Sequence, residues 1–330
     1  MKFCALILTL LATTPMTASA ATYEMNIGTM APKGTPWMTA LKQLEAHIES
    51  RSNGEINVII RPPGMMAEIE MVRETRKGER LQACGVTTAA ISEGGNIAQL
   101  QLLELPFLFR NSEDADYILD NVVREPFTKL MARRGFVLAN WTENGWRSFA
   151  TKDKPIRVPA DLANFKMRSQ ESDVHMAMYT ALGATAIQKP MTEVLTSLQA
   201  GSINGLDNTA LFIQAAGLAE PLDYFTLSRH IYQPAAVIIS KRWFDKLPPN
   251  LQAVVLEARQ FEVEGRASIR AEETLMMENF SFFNVEVITL SDAERAAFAT
   301  KTAGVAASIA ADIEGASELL NDIQTALKNR

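Results

Sequence analysis

Two arginines in this 330-residue chain stand where a small anion could be held. Arg168 closes a β-prone run at 165–168, and Arg147 follows the segment WTENGW at 141–146. In an open α/β sheet the ligand crevice lies beyond the carboxyl ends of the strands. A guanidinium placed there meets a carboxylate with two parallel hydrogen bonds, which fixes orientation as well as energy. The same positions suit an arginine that is solvated or salt-bridged at the surface, and position alone leaves both readings open. Asn208, after a predicted strand at 202–207, carries an amide that donates and accepts, as a hydroxylated acid requires. It equally suits the N-cap of the helix that follows. Met191, ahead of a helix at 192–200, is an apolar wall for a cleft or simply core filler. Glu68 and Glu70 open a helix, where the backbone dipole favours a carboxylate with or without a ligand.

Catalytic constellations are missing. The chain has no G-x-S-x-G elbow, no G-x-G-x-x-G, no P-loop and no H-E-x-x-H. Its three histidines, His47, His175 and His230, are scattered, two in predicted helices and one at a strand end. Without a Cys/His cluster no zinc site is expected, while an oxygen-only calcium site leaves no such spacing and stays open. Cys84 lies in the run LQACGV at 81–86, which reads as a buried strand with the thiol as a small core hydrophobe. No enzyme activity and no cofactor are therefore expected.

The first 20 residues read as a secretory signal. Lys2 supplies the positive start, residues 3–12 are apolar, and Ala18-Ser19-Ala20 is an A-x-A cleavage signature. The apolar run is too short to span a bilayer, which takes ~20 apolar residues. The expected product begins at Ala21, is soluble in the periplasm and is not inserted in a membrane. Its charge, already −6 with the signal attached, disfavours nucleic acid and anionic membranes as partners. Cys84 is then the one cysteine left, so no internal disulfide is expected despite an oxidising compartment.

Strand and helix patterns alternate through the rest. Predicted strands at 23–28, 56–60, 81–86 and 136–140 are separated by apolar stripes at helical spacing, the first being Trp37, Leu41, Leu44 and Ile48. The second half repeats this, with strands at 165–168, 185–188, 202–207, 235–240 and 285–290. Such alternation implies mostly parallel sheets covered by helices on both faces. So many strands imply two mixed sheets, hence two lobes of a periplasmic-binding-protein architecture (type II-like). No flexible linker separates the halves, so the chain is expected to cross between lobes more than once. The expected division is lobe I at 21–146 with part of 237–262, and lobe II at 147–236 with part of 263–330. A helix running unbroken over about 250–283 would be ~50 Å long at 1.5 Å per residue, enough to brace both lobes.

Ordered motifs carry a family resemblance. They are LELPFLF at 103–109, WTENGWR at 141–147, KMR at 166–168, ALGA at 181–184, TEVLTSLQAG at 192–201, NGLDN at 204–208 and VIISKRWF at 237–244. In this order and spacing the chain resembles, from about Ala21 onward, the DctP-type substrate-binding proteins of tripartite ATP-independent periplasmic (TRAP) transporters. The resemblance implies two α/β lobes that close on an organic acid and then dock on a TRAP membrane permease. It implies Arg168 as the main carboxylate partner, with Arg147 and Asn208 orienting the remainder. Met191 stands where relatives often have an aromatic ring, and Thr209 where they often have proline. The turn Ser169-Gln170-Glu171-Ser172 also departs from the family's valine-containing turn. No aromatic-Val-Gly-Pro run of the cation-assisted branch follows, which disfavours a metal-assisted site. Trp37 is expected to add apolar contact, and Thr87 and Thr88 to offer hydroxyls from the other lobe. The same module presenting its ligand to a receptor or sensor kinase is the alternative reading.

Overall fold

The computed structural model describes residues 22–330; the expected export signal at 1–20 lies outside them. β-Branched and apolar residues build the first parallel strands, Tyr23–Thr29 (β1), Ile56–Ile60 (β2) and Ala83–Thr87 (β3). Between β1 and β2 runs Pro36–Arg51 (α1). Pro36 suits the first turn because its missing N–H would be unpaired there anyway, and Thr35 caps the helix by accepting from Met38 N. Met38, Leu41, Leu44 and Ile48 then fall on one face and pack onto the sheet. Glu68–Lys77 (α2) follows β2, with Glu68 in its first turn and the left-handed Gly78 ending it.

Phe136–Thr151 (β4) and Tyr224–Ser240 (β8) are the two long strands. Lys166–Ser169 (β5), Thr185–Gln188 (β6) and Gly205–Asn208 (β7) are short and parallel. Glu286–Thr289 (β9) joins the edge of β8. The strand order is β2-β1-β3-β8-β4-β7-β5-β6, with β9 on β8. Here the structure corrects the sequence reading. The two expected sheets are joined into one hydrogen-bonded network, because β4 and β8 pair antiparallel through both lobes. The runs 141–151 and 224–234 escaped notice as strands because buried polar residues such as Glu143, Arg147, Ser228 and Gln233 interrupt their core residues and break alternation. Three register shifts, at Leu138/Asn140, Glu143/Gly145 and Arg147/Phe149, further scramble the period-two pattern.

The bracing helix is present but not unbroken. It runs as Pro249–Leu256, tightens to a 3-10 turn at Glu257–Phe261, and resumes as Glu262–Asn279. In the tight turn Glu257 is held by His47 and Arg51 of α1, while Ala258 and Phe261 settle on the core beneath α1. Leu251 and Val255 pack on that same lobe I core, and Met276, Met277 and Phe280 on a lobe II core. Ion pairs bind the brace to the strands. Arg270 reaches Glu143 and Asp116, and Glu262 accepts from both Arg124 and the backbone N–H of Trp141.

Gly145, at the middle register shift of β4, has φ +113°, a backbone that side chains rarely adopt. Oε2 of Glu273 on the brace lies against it, 3.4 Å from where a Cβ would stand. Burial, reinforced by the nearby Glu143 charge, lifts the Glu273 carboxyl to about 7. A carboxyl raised by folding costs stability as pH climbs from the ordinary carboxylate range through the raised value. Glu273→Gln should therefore flatten the stability profile between about pH 5 and pH 8. At pH 8 it should gain about 2 kcal/mol over the parent in urea unfolding.

Candidate ligand-binding cleft

The carboxyl ends of β5 and β7 open onto a cleft between the lobes, at the place where the sheet order crosses from one set of parallel strands to the other. Its cavity measures about 130 Å³, room for on the order of ten water-sized groups. Arg168 stands at the end of β5, beside Leu206 of β7. Arg147 and Asn208 are brought together because Ser148 of β4 pairs with Asn208 of β7. Lobe I contributes Glu68 from the start of α2, Thr87 from the end of β3 and Trp37 from the start of α1.

The two arginines differ in what they already bind. Arg147 is buried, and Nε donates to Asp207 Oδ2 at 2.6 Å. Nη1 donates to Gln233 Oε1 at 2.7 Å and to Asn208 Oδ1 at 3.4 Å, and Nη2 to the Asp207 carbonyl at 2.5 Å. Four of its five N–H groups are thus engaged, leaving one for the cleft. Burial opposes the charge on Asp207, but Arg147 and His230 outweigh it and hold that carboxyl well below its usual range.

Arg168 is also buried, at 3 % exposure, yet no carboxylate pairs with it among the described residues. Nε donates to the Lys189 carbonyl at 2.9 Å, and Nη1 has no hydrogen-bond partner. Burial, then repulsion from Arg147, pushes the guanidinium down to about 10, so it stays charged at neutral pH. It is a buried cation held by a backbone carbonyl, with no carboxylate beside it among the described residues.

The other predicted residues fall out unevenly. Asn208 Oδ1 accepts from Asn144 Nδ2, Arg147 Nη1 and the Thr209 N–H. Thr209, not Asn208, caps the helix Ala210–Ala215. Among the described residues Asn208 Nδ2 has no partner, so it remains a donor for the cleft. Glu68 lines the cleft with its oxygens on the Thr87 N–H and hydroxyl, and burial raises its carboxyl above the ordinary value. Met191 lines the lobe II side and packs on that core. Trp37 lines the lobe I side, where its indole N–H donates to the Glu143 carbonyl at 2.8 Å.

Thr88 is the correction. It is fully buried and does not line the cavity, because the strand ends at Thr87, and Thr88 opens the helix Thr88–Gly95, which turns its side chain inward. Its hydroxyl lies 2.6 Å from Glu104 Oε1 and 3.0 Å from the Pro234 carbonyl. Glu104 Oε2 in turn bonds Gln170, His175 and Gln233, forming a polar latch between the lobes behind the cleft. His175 and His230 are buried members of these networks, and Cys84 is a buried thiol that burial pushes up to about 12. No group of three or more metal-ligating side chains is assembled among the described residues.

Sequence reasoning missed Phe212, Asn144, Gln170 and Gln233. Phe212 sits 6.2 Å from Trp37, ring to ring at 55°, and supplies the aromatic wall that Met191 does not. Asn144 was visible inside the WTENGWR motif and Gln170 inside the unusual turn after Arg168. Gln233 had no signal beyond its place before Pro234.

The profile of the bacterial extracellular solute-binding protein family 7 (DctP) matches residues 27–312. The chain belongs to that family. A relative in Escherichia coli (strain K12), the 2,3-diketo-L-gulonate-binding periplasmic protein YiaO, is 28 % identical over 86 % of this chain and 85 % of its own. The sugar acid binding protein of Advenella mimigardefordensis, solved with galactonate, superposes with a TM-score of 0.88 at 26 % identity. That match covers 94 % of this chain and 99 % of the other. A TRAP solute-binding protein from Polaromonas, solved with D-erythronate, gives 0.85 at 25 % identity, covering 92 % of this chain and 98 % of the other. Like them, this member of the DctP family has the two-lobed α/β fold of TRAP solute-binding proteins and is a binding protein for transport, not an enzyme. Among the described residues no helix is long and apolar enough to cross a membrane.

The Arg147–Asp207 pair makes a separable demand on stability. Removing one partner of a buried ion pair leaves the other charge uncompensated, at ~3–5 kcal/mol. Asp207→Ala should lower unfolding free energy in urea by about that amount, with an unchanged slope. Asp207→Asn, which keeps an acceptor for Arg147, should cost visibly less.

Proposed function

We propose that this protein captures a small organic acid in the periplasm through an ion pair between Arg168 and the ligand carboxylate, and delivers it to a TRAP membrane permease. The observation that carries the reading is the Arg168 guanidinium, buried, charged and without a carboxylate partner. A ligand carboxylate supplies the missing anion and accepts from Nη1. Arg147, pinned by Asp207, holds one remaining N–H toward the ligand, and Asn208 Nδ2 donates beside it. Trp37, Phe212 and Met191 close the apolar side. Glu68, across the cleft, holds Thr87 with both oxygens and disfavours a second carboxylate at its own position.

Relatives support an acid ligand, since those named above bind 2,3-diketo-L-gulonate, galactonate and D-erythronate. A Vibrio cholerae relative at 27 % identity is named for C4-dicarboxylates. Export by residues 1–20 accounts for the compartment. The lobes are 21–146 with part of 237–262, and 147–236 with part of 263–330. They close by flexing β4 and β8 near the Glu143/Gly145 register shift. Closure expels water and strengthens each charged hydrogen bond in the cleft.

Isothermal titration of the purified chain with candidate organic acids tests the assignment. Micromolar binding corresponds to about −8 kcal/mol. Arg168→Ala should forfeit ~3–5 kcal/mol of that, roughly two to four orders of magnitude in Kd. Arg168→Lys should recover part of the loss, since a point charge cannot reproduce the bidentate geometry. Undiminished affinity in Arg168→Ala would refute the carboxylate pair.

A further inference from the structure

The cavity does not end at the arginines. It continues into lobe I, between the sheet and α1, where two cross-strand rows form its floor. The deeper row is Thr29, Gly85, Val237 and Asn140, in register across β1, β3, β8 and β4. The row nearer the mouth is Thr87, Ala235 and Thr142. Leu41 and Leu44 of α1 make the roof, and Phe261 adds a ring from the tight turn of the brace. The register shift at Leu138/Asn140 is what brings Asn140 opposite Val237 on this face.

Three features of this extension point to a ligand. Asn140 is 8 % exposed, and its amide makes no hydrogen bond among the described residues, Oδ1 being fully enclosed. A buried amide left unpaired is costly and calls for a partner. Gly85 leaves a gap in the floor. A Cβ there would stand 3.6 Å from Leu41 and 3.7 Å from Val237, ordinary contact, so an alanine would fit and the glycine keeps the space open. The other polar groups of the rows are partly engaged already. Thr29 Oγ1 accepts from the Ala31 N–H, and Thr87 is bonded to Glu68. Among the described residues Asn140, the Thr142 hydroxyl and the Thr29 proton remain for a guest.

These features decide between two kinds of tail. A polyhydroxylated tail, such as that of galactonate, needs a partner for every hydroxyl it buries. Beyond Asn140, Thr142 and the Thr29 hydroxyl it would meet only Leu41, Leu44, Gly85, Ala235, Val237 and Phe261. An apolar body fits those walls, provided one hydrogen-bonding group at its far end reaches Asn140.

We infer that the extension under α1 is a tail subsite selecting an organic acid with an apolar body, an aryl or branched alkyl group, that ends in a single hydroxyl or amide bonded to Asn140. This rests on the carboxylate reading at Arg168 and adds to it which acid is taken.

Titration calorimetry with 3-(4-hydroxyphenyl)propanoate, 3-phenylpropanoate and D-galactonate tests the subsite. The hydroxyaryl acid should bind at least about tenfold more tightly than its unhydroxylated analogue, the size of one well-made buried hydrogen bond. Asn140→Leu should erase that difference, and its ligand-free form should melt higher because an unpaired buried amide is gone. Gly85→Ala should melt as the parent does but weaken both aryl acids about tenfold or more. Tighter binding of D-galactonate than of either aryl acid, indifferent to both substitutions but lost in Arg168→Ala, would overturn the tail subsite and leave the carboxylate pair standing. Failure of all three acids to bind would overturn both.

Discussion

Holding a guanidinium away from water without a carboxylate beside it is the demand around which this molecule is arranged. Arg168 stays charged because the Lys189 carbonyl accepts from Nε and because Asp207 and Glu68 act on it from a distance. Those acids are committed elsewhere, Asp207 to Arg147 and Glu68 to Thr87. Neither can swing over and neutralise Arg168. Its charge is thereby left without a carboxylate among the described residues, and that cost is borne by a fold stabilised around it.

Rigidity on the lobe II side comes from the register of three strands. β4, β7 and β5 lie side by side, so Arg147, Asn208 and Arg168 are placed by ladder hydrogen bonds and not by loops. Behind them, Tyr179, His230 and Gln233 complete the hydrogen bonding of Asp207 and Arg147. A site held by strands and by a second layer of polar contacts keeps its geometry when the lobes move.

Movement and continuity are reconciled by β4 and β8. Each belongs to both lobes, so the lobes cannot separate, yet the paired strands carry three irregularities that loosen the ladder. The brace crosses the same region and fastens to Glu143 by Arg270. Its 3-10 turn sends Phe261 toward the lobe I cavity while its later half packs on lobe II. Trp37 gathers both arrangements, bonding the Glu143 carbonyl at the crossing and facing Phe212 from the opposite lobe.

Much was legible in the residue order. Helical stripes such as Leu41, Leu44 and Ile48, cap and stop residues, and short β-branched runs are local signals, and they foretold the α/β alternation. The place of Arg168, Arg147 and Asn208 at the cleft was legible because strand ends are where such folds open. Thr88 turned out to face away from the cleft because the strand ends at Thr87 and a helix begins at Thr88, a boundary that local pattern did not place. The joining of two sheets into one, the 3-10 break in the brace and the burial of Asn140 beside Val237 on the cavity floor were not legible. Each depends on how strands far apart in sequence register against one another. Residue order determined that the chain carries two candidate arginines, while only the tertiary structure decided that one is matched by Asp207 and the other waits. Pairing is a matter of distance and burial, which no local pattern encodes.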